Sequence, residues 1–268
     1  MSNTDFKIDD LWKKARTAKQ MTKKCHYMPQ FLQRRWARGD WLHVQDIAKG
    51  TVTRHRIKKS EKGKKKPAFI PIGYEIDLYT TWNGNTANRA ELEAVFGGIE
   101  NETAKTLKEL TTKDWVMSED NRRILSIFVA SMVLRLPNSL KSIQAEFRSD
   151  LARLSPGGEQ KLGNTAHALI KVQLKGLTER LLSNTNWTII RYPNGRQHTG
   201  DIPLIIATRE NEKPSHNPDD WEIHIPLDPH ALLTINGMRA PNERLQTGTM
   251  VGIIPLEWNA NGATKRIL

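Results

Sequence analysis

Two glutamates, Glu93 and Glu100, have the residue type and the spacing that chemistry at a metal ion requires. Seven residues apart in a predicted helix, they lie on one face with about 10.5 Å of axial rise between them. Gly97 lies between them on that face and leaves space that a side chain would otherwise fill. Carboxylates on either side of such a space can hold a hard cation or a water molecule. The pattern predicts a site for Mg²⁺ or Mn²⁺.

Three further polar residues could complete this candidate site. Asp201, in a predicted turn, would be the third metal ligand beside Glu93 and Glu100. His26 could provide a nitrogen ligand or transfer a proton, and Gln30 follows one turn later if a helix has begun there. The predicted catalytic residues are therefore His26, Gln30, Glu93, Glu100 and Asp201.

A purely structural interpretation explains the same residues. Arg35 or Arg135 could neutralise the two glutamates in buried ion pairs, while Asp201 caps a turn and His26 caps a helix. Arg135 falls inside an apolar stretch, where a guanidinium is costly unless it is paired. Its planar fork fits a carboxylate well. Both interpretations are open at this point.

The positive charge of the chain is concentrated in its first quarter. The 268 residues contain 41 Lys and Arg against 29 Asp and Glu, a net charge of +12. Residues 1–66 hold 19 of the basic and six of the acidic residues, so the remainder is close to neutral. The densest part, residues 54–66, is predicted to be a basic, solvent-exposed loop. Its candidate nucleic-acid-binding residues are Lys58, Lys59, Lys62, Lys64, Lys65 and Lys66.

Such a run favours nucleic acid as the partner. Contacts to phosphates gain affinity because bound counterions are released. A loop that serves only solubility is the other interpretation of the charge. An anionic membrane surface is a weaker candidate, since no amphipathic helix with bulky apolar anchors adjoins the run.

Several common classes of protein are excluded by absent patterns. Neither a G-x-x-x-x-G-K-[ST] loop nor a G-x-G-x-x-G turn occurs, so no nucleotide cofactor is predicted. One cysteine, Cys25, excludes a disulfide framework and a zinc site made of several thiolates. No apolar run approaches the roughly 18 residues of a membrane span. The first residues lack the pattern of a signal peptide, which predicts a cytoplasmic protein.

The elements that must position these residues follow from hydrophobic periodicity. Helices are predicted over 4–20, 29–37, 86–110, 118–136, 139–154 and 165–182. Strands are predicted over 41–45, 50–53, 187–192, 204–207 and 221–225. Their order predicts an α+β fold: a single domain over residues 1–268 with a buried central helix, flanking helices and an antiparallel or mixed sheet.

A set of short segments, distributed over most of the chain, carries a resemblance. The segments are His-Tyr-Met-Pro-Gln-Phe-Leu at 26–32 with Arg-Trp-Ala at 35–37, Asp-Leu-Tyr at 77–79, Leu-Glu at 92–93, Ile-Glu at 99–100, Arg-Leu-Pro at 135–137, Thr-Gly-Asp-Ile-Pro at 199–203 and Ile-Pro-Leu-Asp-Pro at 225–229. In this order they resemble the domain-of-unknown-function 4238 family of mostly prokaryotic proteins. Gly200 and Asp228 replace serines that are usual in that family. The resemblance implies landmarks and no general activity.

The carboxylates and the basic segment together predict a metal-dependent nuclease or a related phosphodiesterase that acts on nucleic acid. Its basic first quarter would hold the phosphate backbone. A nucleic-acid-binding protein without catalysis, in which the acidic residues are structural, is the alternative. A hydrolase of another class, with Glu93 and Glu100 as acid and base, is the third hypothesis.

Overall fold

The computed structural model describes residues 8–18, 23–61, 64–83, 86–88, 91–110, 117–141, 158–183, 185–192, 198–207, 221–237 and 265–267. Within these ranges it contains helices and antiparallel sheets, which confirms the α+β class. No helix in the described ranges is long and apolar enough to cross a membrane.

The described helices are α1 (Ile8–Ala15), α2 (Gln30–Gln33), α3 (Glu91–Leu110), α4 (Glu119–Arg135) and α5 (Gly158–Ser183). A 3-10 turn, Arg34–Trp36, follows α2, and residues 137–141 are also helical.

The described strands are β1 (Lys24–His26), β2 (Trp41–Asp46), β3 (Val52–Arg56), β4 (Lys58–Glu61), β5 (Lys64–Pro67), β6 (Tyr74–Ile76), β7 (Thr81–Asn83), β8 (Thr86–Asn88), β9 (Thr185–Arg191), β10 (Thr199–Gly200), β11 (Ile205–Ala207), β12 (Glu222–Asp228), β13 (Ala231–Gly237) and β14 (Lys265–Ile267). Where they pair, they pair antiparallel.

The chain forms two compact units, each made of two separate stretches. The first unit contains Met1–Tyr27 and Tyr74–Ser183, and the second contains Met28–Gly73 and Asn184–Leu268. The prediction of one domain over residues 1–268 stays a prediction.

In the first unit, α4 is the buried central helix and packs against α3 and α5. It begins where the Ser118 side chain accepts a hydrogen bond from the backbone N–H of Asn121 at 3.1 Å. It ends at Arg135, because Leu136 precedes a proline and is extended. Gly98 of α3 lets α1 approach, since a Cβ there would lie 2.6 Å from Leu11 Cδ2. The predicted central helix is therefore confirmed.

The second unit contains two four-stranded sheets, with strand orders β10-β14-β2-β3 and β11-β12-β13-β9. All seven residues of β13 are buried, as are six of the seven in β12. A separate hairpin, β4–β5, pairs Lys59 with Lys66 and Ser60 with Lys65. The strands predicted over 41–45, 187–192 and 204–207 are confirmed by β2, β9 and β11.

Two elements differ from the sequence predictions. Residues 86–88 form strand β8, so the helix expected from residue 86 begins at Glu91. Residues 54–66, expected to be a loop, lie largely in β3, β4 and β5. The reason is Ile57, which is buried and whose N–H donates to the Asp40 carbonyl, while its own carbonyl accepts from the Ala68 N–H. One apolar residue thus anchors a segment whose charge alone indicated a loop.

Candidate functional site

Arg135, the last residue of α4, is a fully buried cation with a partner for each of its three nitrogens. Nη1 donates to Glu100 Oε1 at 2.8 Å, Nε to the Tyr27 carbonyl at 2.8 Å and Nη2 to the His26 carbonyl at 2.7 Å. Burial alone would lower the pKa of Arg135, but the charge of Glu100 and its hydrogen bond with Arg135 raise it. The prediction that Arg135 binds a carboxylate of α3 is confirmed, and Arg135 remains charged.

Aromatic side chains surround this guanidinium. The Phe96 ring centroid lies 5.2 Å from Arg135 Cζ, and the Tyr79 ring meets Phe96 edge-on at 5.0 Å. The Tyr79 hydroxyl donates to the Arg135 carbonyl at 3.1 Å, and burial raises the pKa of Tyr79, so it keeps its proton. A turn at Asp77, whose φ of 57° is tolerated by Asp, leads into Tyr79. This turn gives the Asp-Leu-Tyr segment a structural role.

Glu93 lies in the same cluster, but its surroundings differ from those of Glu100. Burial raises the pKa of Glu93 to about 7, against the opposing effects of a hydrogen bond with Cys25 and the charge of Arg135. Its Oε1 is buried and has no hydrogen-bond partner among the described residues. Burial raises the pKa of Cys25 to about 12, so the thiol is protonated and can donate. We call Cys25, Tyr79, Glu93, Glu100 and Arg135 the Arg135 cluster.

The two carboxylates therefore have different chemistry. Glu100 is held in an ion pair, whereas Glu93 can take up or release a proton near neutral pH, as a general acid or base does. The space predicted at Gly97 is present, because a Cβ built there meets nothing within 4 Å. As a metal ligand, Glu93 would first have to lose its proton.

His26 and Gln30 each have contacts to neighbouring residues in the structure. The His26 carbonyl accepts from Arg135, and its ring centroid lies 5.7 Å from that of Tyr74. Helix α2 begins at Gln30, close to the predicted start at residue 29, so His26 and Gln30 do not share a helical turn. The Gln30 Oε1 accepts from Arg34 Nη2 at 2.8 Å. A catalytic role for either residue stays a prediction.

Asp201 follows β10 and is buried in the second unit. Glu93 and Glu100 belong to the first unit. Within the described ranges, no group of three or more His, Cys, Asp or Glu residues is arranged to hold a metal ion. The role of Asp201 as a third metal ligand stays a prediction.

Arg35, the second arginine considered as a partner for the glutamates, binds another carboxylate. Its Nη2 donates to Asp228 Oδ2 at 2.8 Å, within the second unit. Asp228 also accepts the backbone N–H of His230 at 2.8 Å through Oδ1. Asp228 of the Ile-Pro-Leu-Asp-Pro segment thus carries an ion pair.

The exposed face of β2 and β3 carries an aromatic ring beside two guanidiniums. Trp41 is 38% exposed, and its ring centroid lies 5.1 Å from Arg54 Cζ and 5.8 Å from Arg56 Cζ. On the opposite face, Leu42 and Val44 are buried in the core. We call Trp41, Arg54, Arg56 and Lys58 the basic hairpin surface.

Lys58 is the predicted phosphate contact whose side chain the structure describes. It is about half exposed, and its Nζ lies 3.5 Å from Asp40 Oδ1. Lys59, Lys64, Lys65 and Lys66 have their backbones in the β4–β5 hairpin. Lys62 lies outside the described residues.

Sequence reasoning missed three contributors to these sites. Cys25 was considered only for disulfides and zinc, and Tyr79 only as a landmark, although both adjoin Glu93. Trp41 is not among the residues predicted from the sequence to bind a partner, but its ring is exposed. Alternation in Trp-Leu-His-Val places Leu42 and Val44 on one face and Trp41 on the other, which could have revealed this.

Comparison with known proteins gives one match. The family described as "Protein of unknown function (DUF4238)" matches residues 24–247, which is most of the chain. Neither a curated protein nor a solved structure matches the chain.

Proposed function

The chain belongs to the DUF4238 family, and since that family's description assigns no activity, we propose a function from the chain's own residues: it binds nucleic acid through the basic hairpin surface. The observation that carries this proposal is the exposed Trp41 ring beside two arginines on one face of β2 and β3.

The chemistry of this face suits an unpaired nucleic-acid strand. Bases stack on exposed aromatic rings and on guanidinium planes, at about 1–3 kcal/mol per base. An arginine that lies against a ring still has N–H groups at its edge, which can donate to phosphate oxygens. Trp41, Arg54 and Arg56 therefore combine both kinds of contact in one small area.

The charge of the neighbouring strands supports the same partner. From Arg54 to Lys66 the chain has eight basic residues and one acidic residue, Glu61. The backbones of those that the structure describes lie in two consecutive hairpins, β2–β3 and β4–β5. A high density of like charge is costly in isolation and favours a polyanion as the ligand.

The test is binding of a fluorescent single-stranded oligonucleotide, measured by anisotropy over a series of salt concentrations. Arg54→Gln with Arg56→Gln should weaken binding and lower the slope of log K against log salt by about 0.7 for each lost phosphate contact. Trp41→Ala should lose about 1–3 kcal/mol of affinity with little change in that slope, because stacking is not ionic.

The matched control is Lys105→Gln with Lys175→Gln, which removes the same charge from exposed positions on α3 and α5. It should leave affinity nearly unchanged. Equal losses in the control and in the arginine variant would mean that net charge alone determines binding, which contradicts the proposed surface.

A metal-dependent nuclease is the second candidate, favoured by the partnerless Oε1 of Glu93. In this candidate, Glu93 and Glu100 would hold Mg²⁺ or Mn²⁺, which activates water. Labelled RNA and DNA should then be cleaved with Mg²⁺ or Mn²⁺ and remain intact with chelator. Glu93→Gln should abolish cleavage. Glu179→Gln, at an exposed position of α5, should leave cleavage unchanged. Binding without cleavage under all of these conditions would contradict the nuclease candidate and leave nucleic-acid binding as the proposed function.

A further inference from the structure

Four polar side chains meet on one face of β12 and β13, inside the second unit. The strand register places Glu222 opposite Asn236 and His224 opposite Thr234. Each of the four is at most 4% exposed. Burying this many polar groups is costly unless their hydrogen-bonding needs are met.

Those needs are only partly met. His224 Nδ1 lies 3.1 Å from Thr234 Oγ1, and His224 Nε2 lies 3.0 Å from Glu222 Oε1. Despite that short distance, Glu222 Oε1 has no hydrogen-bond partner of acceptable geometry among the described residues. The same holds for Asn236 Oδ1 on the neighbouring strand. Glu222 Oε1 and Asn236 Oδ1 are thus two buried acceptor oxygens without a donor of acceptable geometry among the described residues, and His224 Nε2 lies 3.0 Å from the first of them.

We propose that His224, Glu222 and Asn236 bind a divalent transition-metal ion through Nε2, Oε1 and Oδ1. Ligand atoms about 2.1 Å from a metal and roughly at right angles to each other lie about 3.0 Å apart. The observed separation of Nε2 and Oε1 is 3.0 Å. A cation between them would satisfy both oxygens, which no described protein donor does.

Thr234 is the positioning residue of this site. The proposed site requires the tautomer in which His224 Nδ1–H donates to Thr234 Oγ1, 3.1 Å away, so that Nε2 has a free lone pair. One imidazole with carboxylate and amide oxygens suits Zn²⁺, Mn²⁺ or Fe²⁺ better than Ca²⁺. The proposed ligands are one His, one Glu and one Asn, and none of them belongs to the Arg135 cluster or to the basic hairpin surface.

The experiment uses full-length protein without a histidine tag, stripped with chelator and then loaded with Zn²⁺ or Mn²⁺. Elemental analysis after removal of free metal should find about one equivalent bound, and the melting temperature should rise on loading. Glu222→Gln should lose the metal and the rise in melting temperature. Thr234→Val should bind about 10–100-fold more weakly, as changes to groups that orient a ligand do.

His230→Gln is the control, because His230 is exposed in the same β12–β13 hairpin and should bind metal as the parent does. If Glu222→Gln fails to fold, the metal affinities of Thr234→Val and Asn236→Ala provide the test instead. The proposal is overturned if the stripped parent takes up no metal, or if its metal affinity is unchanged in Thr234→Val and Asn236→Ala.

Discussion

Arg135 donates hydrogen bonds to three acceptors, which would lose their donor if Arg135 were replaced. Arg135→Met would leave Glu100 charged without its partner and strand the carbonyls of His26 and Tyr27. We expect a loss of about 3–5 kcal/mol in the free energy of unfolding, measured by urea denaturation.

The comparison for Arg135 is Lys141, whose Nζ lies 3.6 Å from Glu75 Oε1 with both side chains exposed. Lys141→Met should cost less than about 1 kcal/mol, because water screens an exposed pair. Similar losses in the two variants would contradict the structural role of Arg135.

Glu93 and Glu100 should respond with opposite signs to the same substitution. Glu100→Gln removes the counter-ion of a buried arginine and should destabilise the protein. Glu93→Gln removes an ionisation that burial opposes, so at pH 8 it should stabilise the protein by roughly 2–4 kcal/mol. Urea denaturation of both variants at that pH measures the difference, and destabilisation by Glu93→Gln would contradict this account.

The pH dependence of Glu93 follows from its raised pKa. The ordinary value is 4.5 and the folded value is about 7, so the folded state binds more protons between those limits. Stability from this group is therefore complete below about pH 4.5 and is lost as pH rises through 7. The free energy of unfolding should be measured against pH for the parent and for Glu93→Gln. The difference between the two curves should show this loss of stability, and a difference that does not change with pH would contradict the raised pKa.

At the scale of elements, the two adjacent glycines of α3 should behave differently when replaced by alanine. A Cβ at Gly97 meets nothing within 4 Å, so Gly97→Ala should stabilise α3 by about 0.5–1 kcal/mol. At Gly98 the Cβ would lie 2.6 Å from Leu11 Cδ2, and the Leu11 side chain would have to shift. Gly98→Ala should therefore be less stable than Gly97→Ala, which thermal unfolding measures. Equal melting temperatures would contradict the close packing of α1 on α3.

Elements with a local signal could be predicted, and those that depend on distant pairing could not. Helix α4 has a capping serine, an apolar run and a terminating proline, all within its own sequence. Strand β13 was missed, because Ala-Leu-Leu-Thr-Ile-Asn-Gly is buried throughout and shows no alternation. The basic hairpin β4–β5 depends on pairing between its strands, which charge and propensity do not reveal.

The candidate site shows the same limit. Sequence reasoning selected Glu93, Glu100 and Arg135, and the structure brings all three into one cluster. Sequence reasoning left open which carboxylate binds Arg135, because that depends on the packing of α3 on α4. The partnership of Cys25 with Glu93 links β1 to α3 and has no signal in the spacing of residues.

At the scale of the whole molecule, neither unit is a continuous stretch of chain. A fragment of residues 1–183 contains the first unit but lacks the strands β9 to β14 of the second. Hydrogen exchange should show that α3 to α5 remain protected in this fragment, while β2 and β3 lose protection. Protection of β2 equal to that in the full chain would mean that residues 28–73 fold without the later strands.

Burial of the single cysteine has a practical consequence for measurements in solution. Cys25 is 1% exposed and its thiol pKa is raised to about 12, so it should not react with maleimides in the native protein. Cysteines introduced at Val52 and Val172, which are 54% and 71% exposed, would then be the accessible thiols. They lie in different units, so a fluorescent or spin label on each would report the distance between the units directly, with the native cysteine left in place.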